Sequence, residues 1–266
     1  MMLHIPTYLD ILEAAGVWRS TGSEDALKTA EDILRQGLIE HHYALPLVDE
    51  LALVLEKQGR DSEAFQLLQD LGERFKDAGE ETLARFGKIY KKLADQQIAN
   101  GHYAAADPNL EQSERQYALA FDKTTGFYPR INQLTIRFVR AGVANVLGKP
   151  EIAERLVQSV RDDARRMLAD PALWLARKPD DYIWIPATQG EANLLLGNWP
   201  AAEIAYGEAI HQAAGKKFYH YCMCDQIKNL LFPTFQRLGI PFEGKLRAPN
   251  AFFAHSPETR SDHLHS

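Results

Sequence analysis

The sequence has few cysteines, no long apolar run and no excess of basic residues, and each absence argues against a class of protein. Only 2 of its 266 residues are Cys, which argues against a disulfide scaffold and favours a reducing, cytoplasmic compartment. No stretch without an acidic or basic residue exceeds eleven residues, the length of Ala192 to Ala202, whereas a membrane helix needs about 20. The net charge of -6 argues against general nucleic-acid binding, which requires excess Lys and Arg.

Signatures of catalysis and of cofactor binding are missing as well. The chain has no G-x-S-x-G motif, no H-E-x-x-H motif and no glycine-rich phosphate loop, so we expect neither an enzyme nor a cofactor. Cys222 and Cys224 follow His220 closely. Because residues two apart on a helix point to opposite sides, we expect buried thiols here rather than a metal site.

Almost the whole chain carries the pattern of amphipathic helices. Good helix formers dominate, and apolar residues recur three and four positions apart, as at Leu47, Leu51 and Leu55. Alternation of β-branched residues is nearly absent, and residues 251–254 form the one short candidate strand. The predicted helices span approximately residues 7–19, 24–36, 44–58, 61–77, 80–100, 109–122, 129–147, 150–169, 180–196, 200–214 and 217–238.

Three predicted turns share an internal pattern, a Gly followed five residues later by Ala, at Gly59, Gly148 and Gly197. A small residue precedes each Gly by seven positions, which allows two antiparallel helices to approach closely. The glycine itself ends the first helix. This pattern resembles the tetratricopeptide repeat, a helix-turn-helix unit, and an ordinary helical bundle is the alternative. Gly87 and Tyr90 belong to a partial copy, whose second helix we expect to be displaced by an insertion at residues 101–108.

The predicted fold is therefore all-α, an irregular tetratricopeptide-like α–α superhelix of about eleven helices. We expect the helical repeat domain to span residues 1–240 and an irregular, proline-rich tail to span residues 241–266.

Several short motifs, in a fixed order, narrow the resemblance. FGKIYKKL is followed by a DP loop, then QYALAF, then YPRINQLT. The matching residues are Gly87, Ile89, Tyr90, Lys91, Asp107, Pro108, Tyr117, Phe121, Tyr128, Ile131, Asn132 and Thr135. Over roughly residues 45–240, the chain resembles the tetratricopeptide-like TRAFs-binding domain of apoptosis-signal-regulating kinases and of many bacterial proteins. The resemblance implies a regulatory module that holds or senses something for an effector, with nucleotide-derived signals proposed for bacterial members.

In tetratricopeptide arrays, the first helix of each pair lines a concave groove. Counting from the turn glycines predicts which side chains of the helices at 80–100, 129–147 and 180–196 reach that surface. Lysines supply charge for a carboxylate or phosphate, Asn and Thr supply directed hydrogen bonds, and aromatic rings supply flat apolar contact. The candidate binding residues are Lys88, Lys91, Lys92, Tyr128, Asn132, Thr135, Phe138, Asn145, Trp184 and Glu191.

Two functions fit this mixture. The first is a non-enzymatic interaction module whose groove binds a peptide or effector of another protein, with the three lysines and Trp184 as anchors. The alternative is a sensor in a bacterial stress or defence system, in which a nucleotide-like anion bridges the lysines and the Asn132–Thr135 segment. A purely structural interpretation also remains open, with a solvated lysine face and packing roles for the other side chains. Further positive charge lies at Arg130, Arg137 and Arg140, which need not face the groove.

Overall fold

The computed structural model describes residues 6–41, 44–72 and 79–242, and none of these residues forms a strand. The predicted all-α fold is therefore confirmed. The candidate strand and all but two residues of the predicted tail lie outside the described residues. The helices are α1 (Tyr8–Thr21), α2 (Glu24–Glu40), α3 (Leu45–Lys57), α4 (Asp61–Gly72), α5 (Glu80–Ala99), α6 (Tyr103–Thr124), α7 (Phe127–Val146), α8 (Pro150–Ala169), α9 (Asp181–Leu196), α10 (Trp199–Gln212), α11 (Lys217–Asp225) and α12 (Phe232–Arg237).

The helices group into two compact units, divided within α5 between Ile89 and Tyr90. In the first unit, α1 packs against α2, α2 against α3, and α3 against α4. In the second, α6, α7, α8, α9 and α10 pack in sequence, each against the next. Helix α7 is the most enclosed of them, since it contacts α6, α8, α9 and α12. Within the described ranges, no helix is both long enough and apolar enough to cross a membrane.

The three predicted turns are built alike. Gly59, Gly148 and Gly197 have φ angles of 75°, 71° and 75°, in the left-handed region that only glycine enters without steric cost. In each turn, the N–H of the following residue donates to the carbonyl five residues earlier, at 2.9 Å. This bond satisfies a carbonyl at the helix end that has no partner within the helix. The glycines therefore end the first helix of each pair, as the spacing predicts.

A fourth turn of the same kind corrects the expected insertion at residues 101–108. Gly101 has φ 76°, His102 N–H donates to the Gln97 carbonyl at 2.8 Å, and helix α6 begins immediately at Tyr103. Ala106, five residues after the glycine, is fully buried, so this pair follows the rule of the other three. The helix continues through Pro108 because burial of its apolar face outweighs one missing backbone bond.

The predicted helix at 217–238 is also interrupted. Between α11 and α12 lies a π-helix, Gln226–Leu231, in which the N–H of Phe232 donates to the carbonyl of Ile227, five residues back. Pro233 supplies the physical reason. It has no N–H for the Asn229 carbonyl, and its ring would collide with that carbonyl in a regular α-helix. The wider π-turn relieves the collision.

Candidate functional site

A buried carboxylate joins three helical elements in the second unit. Thr135 of α7 donates its hydroxyl to Oε1 of Glu191 on α9. Gln226, the first residue of the π-helix, donates its amide to the same oxygen at 2.9 Å. We call Thr135, Glu191 and Gln226 the Glu191 cluster. Burying an ionisable side chain costs free energy unless the group is hydrogen-bonded. The bonds from Thr135 and Gln226 offset this cost for Glu191.

Burial has the largest effect on the pKa of Glu191 in this cluster. Burial raises the pKa of Glu191, while the bonds from Thr135 and Gln226 and the positive charge of Lys91 act in the opposite direction. Lys91 lies on α5 and forms an ion pair with Asp95 one turn later, at 3.0 Å. The carboxyl of Glu191 on α9 therefore interacts with polar groups from three other segments, which are α5, α7 and the π-helix.

A regular spacing places these side chains together. Trp184 and Glu191 lie seven residues apart on α9, which is about two helical turns, so they share one face. Tyr219 on α11 and Gln226 at the start of the π-helix have the same separation. The rings of Trp184 and Tyr219 lie 5.2 Å apart, and Gln226 contacts Glu191. Helix α9 and the segment formed by α11 and the π-helix thus run side by side. Residues in contact between them are 35 positions apart in the sequence.

The structure distributes the ten candidate residues over distinct environments. Thr135 and Phe138 are each 1% exposed and Glu191 is 8% exposed, so all three are interior residues. Partly buried positions are those of Lys91, Asn132, Asn145 and Trp184. Exposed positions are those of Lys88, Lys92 and Tyr128. The structure therefore brings Thr135 and Glu191 into direct contact, and its exposed candidates lie on α5 and in the first turn of α7.

Lys88 belongs to the first unit, where it has a partner of its own. Its Nζ forms an ion pair with Oε2 of Glu56 on α3. The Glu56 side chain is only 5% exposed, whereas that of Lys88 is 53% exposed. Nearby on the same two helices, Thr82 donates to Asp49 at 2.8 Å. Lys88 therefore compensates a buried carboxylate.

The three arginines of α7 form ion pairs with the two helices that flank it. Arg137 bonds Glu114 on α6 and Asp163 on α8, each at 2.7 Å. Arg140 pairs with Glu114 at 2.9 Å, and Arg130 pairs with Asp163 at 3.1 Å. These arginines therefore join α6, α7 and α8 through charges that are largely neutralised by their partners.

Both cysteines are thiols rather than members of a disulfide. Cys224 is buried, and burial raises the pKa of its thiol, which makes it a poor nucleophile. Among the described residues, no group of three or more His, Cys, Asp or Glu side chains is placed to hold a metal ion.

Sequence reasoning overlooked Gln226, although a signal for it was present. The offset of 35 residues that relates Trp184 to Tyr219 also relates Glu191 to Gln226. Glutamine at the position of a candidate carboxylate is a natural hydrogen-bond donor to it. A comparison of helices at this offset would have identified the residue.

Replacing Glu191 with Gln is expected to make stability less dependent on pH. Burial raises the pKa of this carboxyl above its ordinary value of 4.5. Protonated Glu191 therefore contributes its full stabilisation of the fold below pH 4.5. This contribution is lost as pH rises through the higher pKa that Glu191 has in the folded state. Each unit of elevation corresponds to about 1.4 kcal/mol. Melting curves from pH 4 to pH 8 should show wild type losing stability relative to Glu191→Gln.

The matched control for this measurement is Glu208→Gln, at an exposed position of α10. Its melting temperature should differ little from that of wild type at every pH. A constant difference between wild type and Glu191→Gln across the same range would contradict the expectation.

Comparisons with known proteins agree with the repeat architecture. Residues 22–137 match the family model described as Tetratricopeptide Repeats-Sensor, which is less than half of the chain. The match contains six of the candidate residues, from Lys88 to Thr135. Among curated proteins, none is significantly similar to this chain. The narrower resemblance to the TRAFs-binding domain stays a prediction.

Solved structures with similar coordinates are also tetratricopeptide proteins. A thermophilic TPR protein of Thermus thermophilus is 18% identical, with a TM-score of 0.48, and the similarity covers 83% of this chain and 99% of that one. A Podosopora anserina putative kinesin light chain with nearly identical TPR-like repeats is 17% identical, with a TM-score of 0.37, covering 80% and 99%. The tetratricopeptide-like character of the chain rests on its own helix pairs and on the family match.

Proposed function

We propose that the chain is a non-enzymatic regulatory module that binds a segment of a partner protein on the helices from Tyr90 onward. Tetratricopeptide-like folds generally mediate interactions between proteins. The observation that supports the proposal is a set of five candidate residues that are exposed or only partly buried. We call these residues the open row, and they are Lys91, Lys92, Tyr128, Asn132 and Trp184.

The open row offers the contacts that hot spots in protein interfaces use. Tyr128 is 49% exposed, and its ring packs edge-on against Tyr117 at 6.4 Å. Trp184 is supported by Tyr219 in a similar way. Aromatic rings held in place by neighbours bind with little loss of conformational entropy. The amide of Asn132 donates to the Tyr128 carbonyl at 2.8 Å, which fixes its orientation.

The lysines of the open row indicate the charge of the partner. Lys91 and Lys92 are adjacent on α5, and Lys92 is exposed. Ammonium groups bind carboxylates as point charges. The favoured partner is therefore a segment that combines an apolar anchor with acidic residues.

Site-specific photo-crosslinking tests this function. A benzoyl-phenylalanine at position 128, in cells that express the chain, should give one discrete protein adduct. The same group at Ile204, which is 74% exposed on α10, is the control and should give none. Charge reversal at Lys91 and Lys92 should reduce the adduct at position 128 several-fold. Equal adducts at both positions, or none at 128, would refute the proposal.

A second candidate is a sensor of a small, nucleotide-derived anion, the role proposed for bacterial members of the TRAFs-binding domain family that the sequence resembles. Lys91 favours it, because this partly buried cation lies close enough to the Glu191 cluster to act on the pKa of its carboxyl. The description of the matching family model as a sensor points the same way. Here Lys91 binds the anionic group, and binding changes the contact between α9 and the π-helix.

A thermal-shift screen with a nucleotide panel distinguishes this candidate from the first. A ligand at 100 times its Kd stabilises the folded state by about 2.7 kcal/mol. The shift should disappear in Lys91→Ala and persist in Lys123→Ala, which changes an exposed lysine of α6. An equal loss in both variants, or no shift with any nucleotide, eliminates the sensor.

A further inference from the structure

The C-terminal helical segment does not simply extend the row of helices. Its first half, α11, lies beside α9, where Tyr219 contacts Trp184. After the π-helix it crosses to α7, and α12 contacts α7. After the π-helix the segment packs on two sides, since Phe235 also lies against Trp199 at the start of α10, with ring centroids 5.2 Å apart. The second half, residues 227–237, therefore covers the α7 face that carries candidate groove residues.

The covering segment has the pattern of an amphipathic helix that binds in a groove. Its buried side chains recur at i, i+3, i+4, i+7 and i+8, the spacing by which a helix presents one apolar face. They are Ile227, Leu230, Leu231, Thr234 and Phe235. The last of these is held from two sides, since the ring of Phe235 lies 5.0 Å from that of Phe138 on α7 and 5.2 Å from that of Trp199 on α10.

Two positions of α7 accommodate the crossing helix closely. At Gly142, an added Cβ would lie 3.1 Å from Cγ2 of Thr234 and 3.6 Å from its carbonyl oxygen, so the missing side chain makes room for the crossing helix. Asn145 donates its amide to the main-chain carbonyl of Arg237 at 2.7 Å. This carbonyl is at the helix C-terminus, where it has no partner within the helix.

We propose that residues 227–237 are a resident occupant of a helix-binding face on α7, and that the partner is an amphipathic helix that replaces them. The inference rests on the proposed interaction function and adds the chemical class of the partner. The partner helix carries apolar residues at i, i+3 or i+4, and i+7 or i+8, with an aromatic residue last. It ends over Gly142, where Asn145 caps its final carbonyls. Release of the resident segment is then part of the binding event.

A peptide supplied in trans tests this proposal. The probe is a fluorescent synthetic copy of residues 225–240, and fluorescence anisotropy measures its binding to the full chain. In Phe235→Ala, the resident segment loses its anchor while the α7 face is unchanged. The probe should therefore bind Phe235→Ala at least tenfold more tightly than it binds wild type. A probe that carries the same Phe→Ala change should lose this gain.

A control inside the face shows where the probe binds. Adding Gly142→Val to Phe235→Ala fills the space used by the crossing helix, and it should reduce probe binding at least tenfold. Equal binding with and without Gly142→Val, or no binding to folded Phe235→Ala, overturns the proposal. Size-exclusion chromatography adds a further outcome. A dimer of Phe235→Ala without probe would identify a second copy as the occupant and would likewise overturn it.

Hydrogen exchange on the wild-type chain keeps the test independent of any variant that fails to fold. Amides of residues 232–237 should exchange at least tenfold faster than the central amides of α9, because the resident segment opens separately. Equal rates would make the segment an inseparable part of the core and refute the inference. A crosslink at Tyr128 would then still support the broader proposed function.

Discussion

Replacing Arg137 with Met is expected to lower the free energy of unfolding by about 1–3 kcal/mol. Arg137 bonds Glu114 and Asp163, each at 2.7 Å, and its side chain is 15% exposed. It also donates to the Ser159 hydroxyl at 3.0 Å. Without the guanidinium, two shielded carboxylates lose a cationic partner, and this desolvation cost exceeds the gain from a new apolar contact. Urea unfolding followed by circular dichroism measures the loss.

The loss of stability in Arg137→Met is also expected to depend on pH. Burial would raise the pKa of Asp163, but the bond from Arg166 and the charges of Arg130 and Arg137 hold it below the ordinary value of 3.8. A lowered pKa contributes stability above pH 3.8 that is lost as pH falls through the folded-state value. The difference between wild type and Arg137→Met should therefore shrink as pH falls toward that range.

Arg165→Met is the matched control for this substitution. Arg165 pairs with Asp162 at 2.7 Å, but its side chain is 59% exposed, and pairs in such positions contribute about 0–1 kcal/mol. Its free energy of unfolding should stay close to that of wild type. If both variants lost the same amount, burial of the arginine network would not be the source of the effect.

Replacing Gly190 with Val is expected to cost about 3 kcal/mol. A Cβ at this position would lie 2.7 Å from Cδ2 and 2.9 Å from Cγ of Tyr206, a ring that is 2% exposed. The ring is enclosed and has no open space to move into, so α9 and α10 would have to separate. Thermal unfolding should show a fall in Tm of several degrees, since about 2–4 °C accompanies each kcal/mol in a large domain.

Gly207→Ala provides a control of opposite sign. Gly207 lies in α10, and an added Cβ there would have no heavy atom within 4 Å. Because glycine inside a helix costs about 0.5–1 kcal/mol relative to alanine, this variant should be slightly more stable than wild type. A comparable loss in both variants would contradict the argument from close packing at Gly190.

Much of the fold could be predicted because its signals are local. A glycine that ends a helix and an alanine five residues later act within one turn, so Gly59, Gly148 and Gly197 could be recognised from spacing alone. Gly101 obeys the same rule, but Asp107 and Pro108 resemble a loop. The structure shows that burial of Ala106 keeps this segment helical, and burial is not visible in a short window of sequence.

The site was harder to predict because it depends on contacts between distant segments. Counting from the turn glycines predicted that Thr135 and Glu191 lie on the inner faces of their helices. In the structure the Thr135 hydroxyl donates a hydrogen bond to Glu191. This counting could not reveal that α12 folds back over Phe138 and Asn145, since that path includes a π-turn beside Pro233. Charge patterns also gave no partners for Lys88 or Arg137, because the carboxylates that neutralise them lie on other helices.

The enclosure of α7 has a consequence for how this sequence can change over time. Its arginines form ion pairs with α6 and α8, and its inner face packs against α9 and α12. Few of its positions are exposed. A substitution in α7 therefore disturbs several neighbours at once, whereas one on the outer face of α10 disturbs almost none. Among relatives, sequence drift should be slowest along α7 and fastest on outer helices, and paired changes should connect α7 to the segment that covers it.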